Sequence, residues 1–176
     1  MKIIKTKFDG LRILELNHHE DNRGYFTRYY CEETFKNLGL PEKLRQTNIS
    51  YSIKKGTIRG MHYQVNGYEE CKIISCINGS IYDVVIDLRE NSSTYLKTYT
   101  INLNQDDNIR FVIPEGFAHG FQSLSDNATV IYQVSKEFSP GNERGIRYND
   151  PFFNIKWPLE ISSISKKDLE LQDFNI

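Results

Sequence analysis

At 176 residues the chain fits one domain, 1–176, with one sizeable core. Hydrophobic residues make up 39% and aromatic residues 12%, so a packed globular fold is expected rather than a disordered chain. A formal net charge of -1 and no basic block exclude a bulk nucleic-acid or membrane-surface partner, while a few local Arg and Lys could still hold a small anion.

The opening MKIIKTKFDG lacks the apolar h-region of a secretory leader. No apolar run nears the ~18 residues that span a bilayer. Cys31, Cys71 and Cys76 show no CxxC spacing. They read as reduced thiols of a cytoplasmic protein.

In chain order, NHHEDNRG is polar and reads as a loop carrying His18 and His19. A helix is predicted over 32–38, with Phe35 and Leu38 on one side, Gly39 as its C′ residue and Pro41 just beyond. QTNISYSI alternates Gln46, Asn48, Ser50 and Ser52 with Thr47, Ile49, Tyr51 and Ile53. As a strand its polar row is either a solvated face or a pocket lining. CKIISCINGSIYDVVIDL reads as a hairpin turning at Asn78-Gly79. A strand follows at 110–113, ended by Pro114 and Gly116. In ATVIYQV, the residues Ala128, Val130, Tyr132 and Val134 share one face. The stretch 163–174 reads as a second short helix. Many short strands with turns between them suggest a sandwich or barrel.

The chain has four histidines. His62 in TIRGMHYQ and His119 in IPEGFAHGF are flanked by glycines and apolar or aromatic residues. Each is either a hydrogen-bonded core residue or a catalyst, and spacing does not decide. Small β-barrels often bind metal through HxH plus a carboxylate. Here the block reads HYQ with Glu69 and Glu70 behind it, so no metal is expected. Arg23 and Arg59 each precede a glycine, where a ligand can approach the backbone and a guanidinium can grip phosphate; a surface Arg at a turn has the same signature. Lys72 and Tyr132 lie in strands among apolar neighbours, as an edge lysine or a core tyrosine also would.

Taken together, DNRGYF, QTNIS, GTIRGMHYQ, the KII from Lys72, GSIYDVVIDLRENSSTY, IPEGFAHGFQSLSD, IYQV, ERGIRYNDP, IKWP and SKKD occur in an order that resembles the dTDP-4-dehydrorhamnose 3,5-epimerases of the cupin superfamily. The likeness runs from about residue 3 to about residue 170. It implies an all-β jelly-roll (cupin) barrel with a few short helices, a homodimer, and a nucleotide-sugar substrate handled without metal or other cofactor. The chemistry would be enolate formation beside a carbon-4 ketone. That needs a base near neutral pKa, an acid on the opposite face and a donor at the oxyanion.

By the motif, His62 is the base, Asp168 orients and polarises it, Tyr132 is the acid and Lys72 sits at the enolate oxygen. His119, Gln46 and Asn48 contact sugar or phosphates. Arg23, Arg59 and Lys167 hold the pyrophosphate, Glu143 binds the nucleotide, and Phe26 and Phe138 stack on the base. The family pattern has Glu where Arg28 stands, Tyr where Phe138 stands and commonly Leu where Met61 stands. Competing readings are inversion at carbon 3 only, another nucleotide 4-keto sugar, a 3,4-ketoisomerase, and a sugar-nucleotide-binding module without catalysis.

Overall fold

The computed structural model describes residues 1–175. Two strands open the chain, β1 (Lys2–Lys5) and β2 (Arg12–Glu15), followed by β3 (His18–Asp21), β4 (Gly24–Thr27) and α1 (Glu32–Asn37). The central strands are β5 (Gln46–Ser52), β6 (Thr57–Gln64), β7 (Lys72–Asn78), β8 (Ser80–Asp87), β9 (Thr98–Asn104), β10 (Ile109–Ile113), β11 (Phe117–Ser123) and β12 (Ala128–Val134). Short pieces close the chain: β13 (Glu143–Gly145), β14 (Ser163–Ile164) and α2 (Lys166–Leu169).

One sheet runs β1-β2-β10-β7-β12-β5 and the other β13-β6-β11-β8-β9, with β14 parallel to β6. Successive strands switch sheets, β5 to β6, β7 to β8, β9 to β10 and β11 to β12. This alternation is the jelly-roll barrel that the resemblance implied. Between the sheets lies an apolar core containing Phe8, Leu11, Leu103, Phe111 and Phe117. A second cluster packs Phe35 of α1 against Leu14, Ile73 and Val112. A third covers the other sheet, where Met61, Val84, Ile86 and Ala118 meet Phe153 and Trp157. The strands β7, β8, β10 and β11 are therefore buried along most of their length, which explains their near-continuous apolar runs.

Several local readings change. Asn78-Gly79 is a tight connection, but β7 and β8 do not pair; the chain turns a corner from one sheet into the other. The turn's polar groups bond to other loops: Gly79 N–H donates to Gln105 Oε1 at 2.7 Å, and Asn78 Nδ2 to Asn127 O at 2.7 Å. NHHEDNRG is no loop: β3 and β4 form a hairpin with His19 opposite Phe26. The helix expected over 163–174 shrinks to Lys166–Leu169, preceded by β14. The first helix ends as expected, with Gly39 at φ 64° and paired bonds from Gly39 N to Lys36 O and Leu40 N to Phe35 O.

Candidate active site

β5 inverts the usual alternation. Ile49 and Tyr51 are exposed, while Gln46, Asn48 and Ser50 line a cavity between the sheets. That settles the open question about the polar row: it is a pocket lining. The cavity measures about 560 Å³ and joins a recess of about 140 Å³ through shared walls at His62, Lys72, Tyr132, Phe138 and Glu143. Its floor is the edge of the apolar core, at Ile74, Phe121 and Val130.

His62 projects from β6. Its Nε2 lies 2.7 Å from Asp168 Oδ1, and the histidine side chain keeps 29% exposure against 4% for the aspartate. Asp168 sits in α2, where its N–H donates to the N-cap hydroxyl of Ser165 at 3.0 Å. Gly60 N–H donates to the carboxylate's other oxygen at 3.3 Å. Glycine is required there, because a Cβ on Gly60 would lie 2.5 Å from the Gly120 Cα of β11. Burial pushes the Asp168 carboxyl upward, but the His62 hydrogen bond and charge, the Gly60 N–H and Ser165 together hold it below the usual carboxylate value. An ionised Asp168 requires the hydrogen on Nε2, which leaves Nδ1 as the free basic nitrogen.

Tyr132 faces this pair from the other sheet. It stands on β12 with Val130 and Val134, and all three line the cavity. Burial is the main cause that raises its pKa; Arg59 lowers it, and Glu70 and Glu143 raise it. Lys72 roots on β7, paired with Val134 of β12, yet its Nζ reaches the His62 carbonyl on β6 at 3.4 Å. The same ammonium lies 3.0 Å from Glu70 Oε1.

His119 on β11 is the Cα partner of His62, and its Nε2 lies 2.9 Å from Asp83 Oδ2. Arg59 donates to Tyr51 O at 2.7 Å and Ser52 Oγ at 3.2 Å. Gln46 Oε1 accepts from Phe138 N–H at 3.0 Å, tying the cavity's aromatic rim to β5. Lys167 is paired with Glu143 at the same rim. Arg23 and Phe26 are not brought there. They lie on the exposed β3–β4 hairpin, Arg23 bonded to Asp21 and Phe26 beside His19. Arg28, just past the hairpin, is exposed too.

Two carboxylates escaped the sequence reading as site residues. Asp83 was detectable as a charge in the apolar run IYDVVID, on the inward face with Ile81 and Val85. Glu70 was weighed only as a metal ligand, and no periodicity marks its partner as Lys72. Among the described residues no group of three or more His, Cys, Asp or Glu side chains converges as a metal site would. No helix among them is long and apolar enough to cross a membrane. The three cysteines are unpaired, and burial pushes the Cys71 thiol up to about 12.

The family model described as dTDP-4-dehydrorhamnose 3,5-epimerase matches residues 5–175. The dTDP-4-dehydrorhamnose 3,5-epimerase of Methanothermobacter thermautotrophicus is 40% identical over 170 residues, spanning 95% of this chain and 91% of that protein. The crystal structure of the Bacillus anthracis enzyme of that name, with TDP and PPi bound, aligns with a TM-score of 0.94 at 36% identity, covering 98% of this chain and 99% of that one. The Legionella pneumophila dTDP-6-deoxy-D-glucose-3,5-epimerase, in complex with dTDP-4-keto-L-rhamnose, aligns with a TM-score of 0.91 at 35% identity, covering 98% and 92%.

Proposed function

The chain belongs to the dTDP-4-dehydrorhamnose 3,5-epimerase family, and from that premise we propose that it inverts carbons 3 and 5 of dTDP-4-dehydro-6-deoxyglucose by stepwise proton transfer. The observation that supports the reading is a histidine–aspartate pair and a tyrosine lining one cavity from facing sheets. His62 with Asp168 stands on one wall, Tyr132 on the other, and the Lys72 ammonium between them.

The ketone at carbon 4 acidifies the neighbouring C–H bonds. His62 Nδ1 takes the proton from carbon 3, and the bonding pair moves into an enolate whose negative charge rests on the carbon-4 oxygen. Asp168 supports the imidazolium that forms. Lys72 donates to the oxyanion, placing a positive charge where the negative charge develops. Tyr132 then delivers its hydroxyl proton to the opposite face of carbon 3, restoring the ketone. Solvent returns the proton lost by Tyr132 and removes the one held by His62. The same cycle at carbon 5 completes the double inversion. No step calls on a metal or other cofactor.

Gln46, Asn48 and His119 supply polar contacts to sugar and phosphates, Arg59 and Lys167 charge for the pyrophosphate, and Glu143 and Phe138 contacts to the nucleoside. Arg23 and Phe26 enter through a homodimer in which the hairpin of one copy reaches the cavity of the other. The exposed Tyr25 and Phe26, together with Ile49, Tyr51 and Ile53 on and beside the edge strand β5, give that assembly apolar surface to bury. The cytoplasm, which keeps thiols reduced, is the fitting compartment, and 1–176 acts as a single cupin-type catalytic domain.

Incubating the protein with dTDP-4-dehydro-6-deoxyglucose in D2O, and mapping deuterium by NMR, tests the reading. Deuterium at carbons 3 and 5 with both centres inverted is expected. Label at carbon 3 alone would replace it by a single-centre epimerase, a migrated carbonyl by a ketoisomerase, and binding without exchange by a non-catalytic module.

A further inference from the structure

Glu70 is the acidic side chain nearest the Lys72 ammonium, and both are nearly enclosed, with side-chain exposures of 7% and 13%. Its two oxygens are engaged separately. Oε1 lies 3.0 Å from Lys72 Nζ, and Oε2 accepts from the Gln64 amide. Gln64 is itself immobilised: its Oε1 accepts from Ser139 N–H at 2.8 Å, and its Nε2 also donates to Tyr68 O at 3.0 Å. The carboxylate therefore has a defined position rather than a swinging one. An ammonium carries three donors. Lys72 directs one to Glu70 and one to the His62 carbonyl at 3.4 Å, which leaves the third for the cavity.

We propose that Glu70 is a positioning residue for the epimerisation: it orients the Lys72 ammonium so that its one unshared N–H meets the enolate oxygen. The inference rests on the enolate chemistry proposed above. A lysine on a four-carbon stem is otherwise a mobile point charge, and fixing it before the reaction removes that reorganisation from the barrier. Glu70 has a second consequence. The groups facing Tyr132 are Arg59 from β6, Glu143 from β13 and Glu70 from the turn before β7, while Lys72 also faces Asp83 of β8. The Glu70 charge thus helps keep the Tyr132 phenol protonated, ready to donate.

Glu70→Gln keeps the shape and removes the charge. The expected result is a fall in kcat of about tenfold with KM little changed, and an alkaline limb shifted to lower pH because Tyr132 loses a negative neighbour. In a Lys72→Met background the same change should alter kcat at the pH optimum by less than about twofold, since there the effect of Glu70 runs through Lys72. Affinity for dTDP and the thermal midpoint of Glu70→Gln report whether the variant is folded. A folded variant with wild-type kcat and an unmoved alkaline limb overturns the proposal and leaves the epimerase reading standing. So does a loss of equal size with and without Lys72. A wild-type protein that exchanges no substrate proton overturns both.

Discussion

Two histidine–aspartate pairs sit side by side on one sheet, and their surroundings separate them. His62 and His119 are Cα partners across β6 and β11, bonded through Nε2 to Asp168 at 2.7 Å and to Asp83 at 2.9 Å. Asp168 also accepts from Gly60 N–H and is held below the ordinary carboxylate value. Asp83 is fully enclosed, its Oδ1 has no partner among the described residues, and burial pushes its carboxyl upward against the pull of His119 and Lys72. A carboxylate surrounded by donors stays charged and stabilises an imidazolium as it forms. One stripped of solvent resists carrying its charge and supports that change less. In the proposed reaction the first pair is thus fitted to moving a proton, and the second to holding a histidine still against the substrate.

The largest expected effect leaves both pairs intact and removes the proposed acid, Tyr132. Tyr132→Phe should cut inversion by about 10²–10⁴-fold while proton exchange at carbon 3 persists with retention, read by NMR in D2O. Inversion at the wild-type rate would remove Tyr132 from the role of acid.

The pairs themselves separate under matched substitutions. Asp168→Asn should lower kcat by about ten- to a hundredfold. Asp83→Asn should leave kcat within about threefold and show chiefly in KM. Their effects on stability run in opposite directions with pH. The Asp168 carboxyl is lowered in the fold, so its stabilisation is present above the unfolded value of about 3.9 and is lost as pH falls through the folded one. The Asp83 carboxyl is raised, so stability declines as pH rises from about 3.9 through its folded value. Thermal melts against pH should show Asp168→Asn losing the acid-side decline and Asp83→Asn losing the decline on rising pH. The same slope for both variants would erase the distinction.

The smallest effect concerns the region outside both pairs. Arg28 stands where the family pattern has Glu, and it has donors but no acceptor. Arg28→Glu should change the preference among dTDP, UDP, GDP and CDP by about fivefold, measured by titration. Unchanged affinities would mean that Arg28 faces solvent in the complex as it does in the single chain.

The strands, the barrel and the inward face of Tyr132 were legible because alternation and turn residues are local signals. The pairing of β7 was not. Asn78-Gly79 specifies a tight turn but says nothing of whether the flanking strands stay in one sheet, and here Gln105 and Asn127 from other loops take up its polar groups. His18 and His19 read as a loop because a two-stranded arm with no core beneath it needs no apolar face. Asp168 was named through the SKKD motif alone; its contact with His62 spans 106 residues and leaves no periodic trace. Glu70 shows the other limit, since no periodicity marks Lys72 as its partner, whereas Asp83 left a trace as a charge within an apolar run.

Proton exchange at carbon 3, measured in D2O for His62→Ala and His119→Ala side by side with dTDP-4-dehydro-6-deoxyglucose, tests the division of labour between the pairs most directly. Both variants should still bind dTDP. His62→Ala should lose exchange by about 10²–10⁴-fold, and His119→Ala should retain most of it once substrate is saturating. Exchange that survives in His62→Ala and vanishes in His119→Ala would place the base in the His119–Asp83 pair and contradict the account.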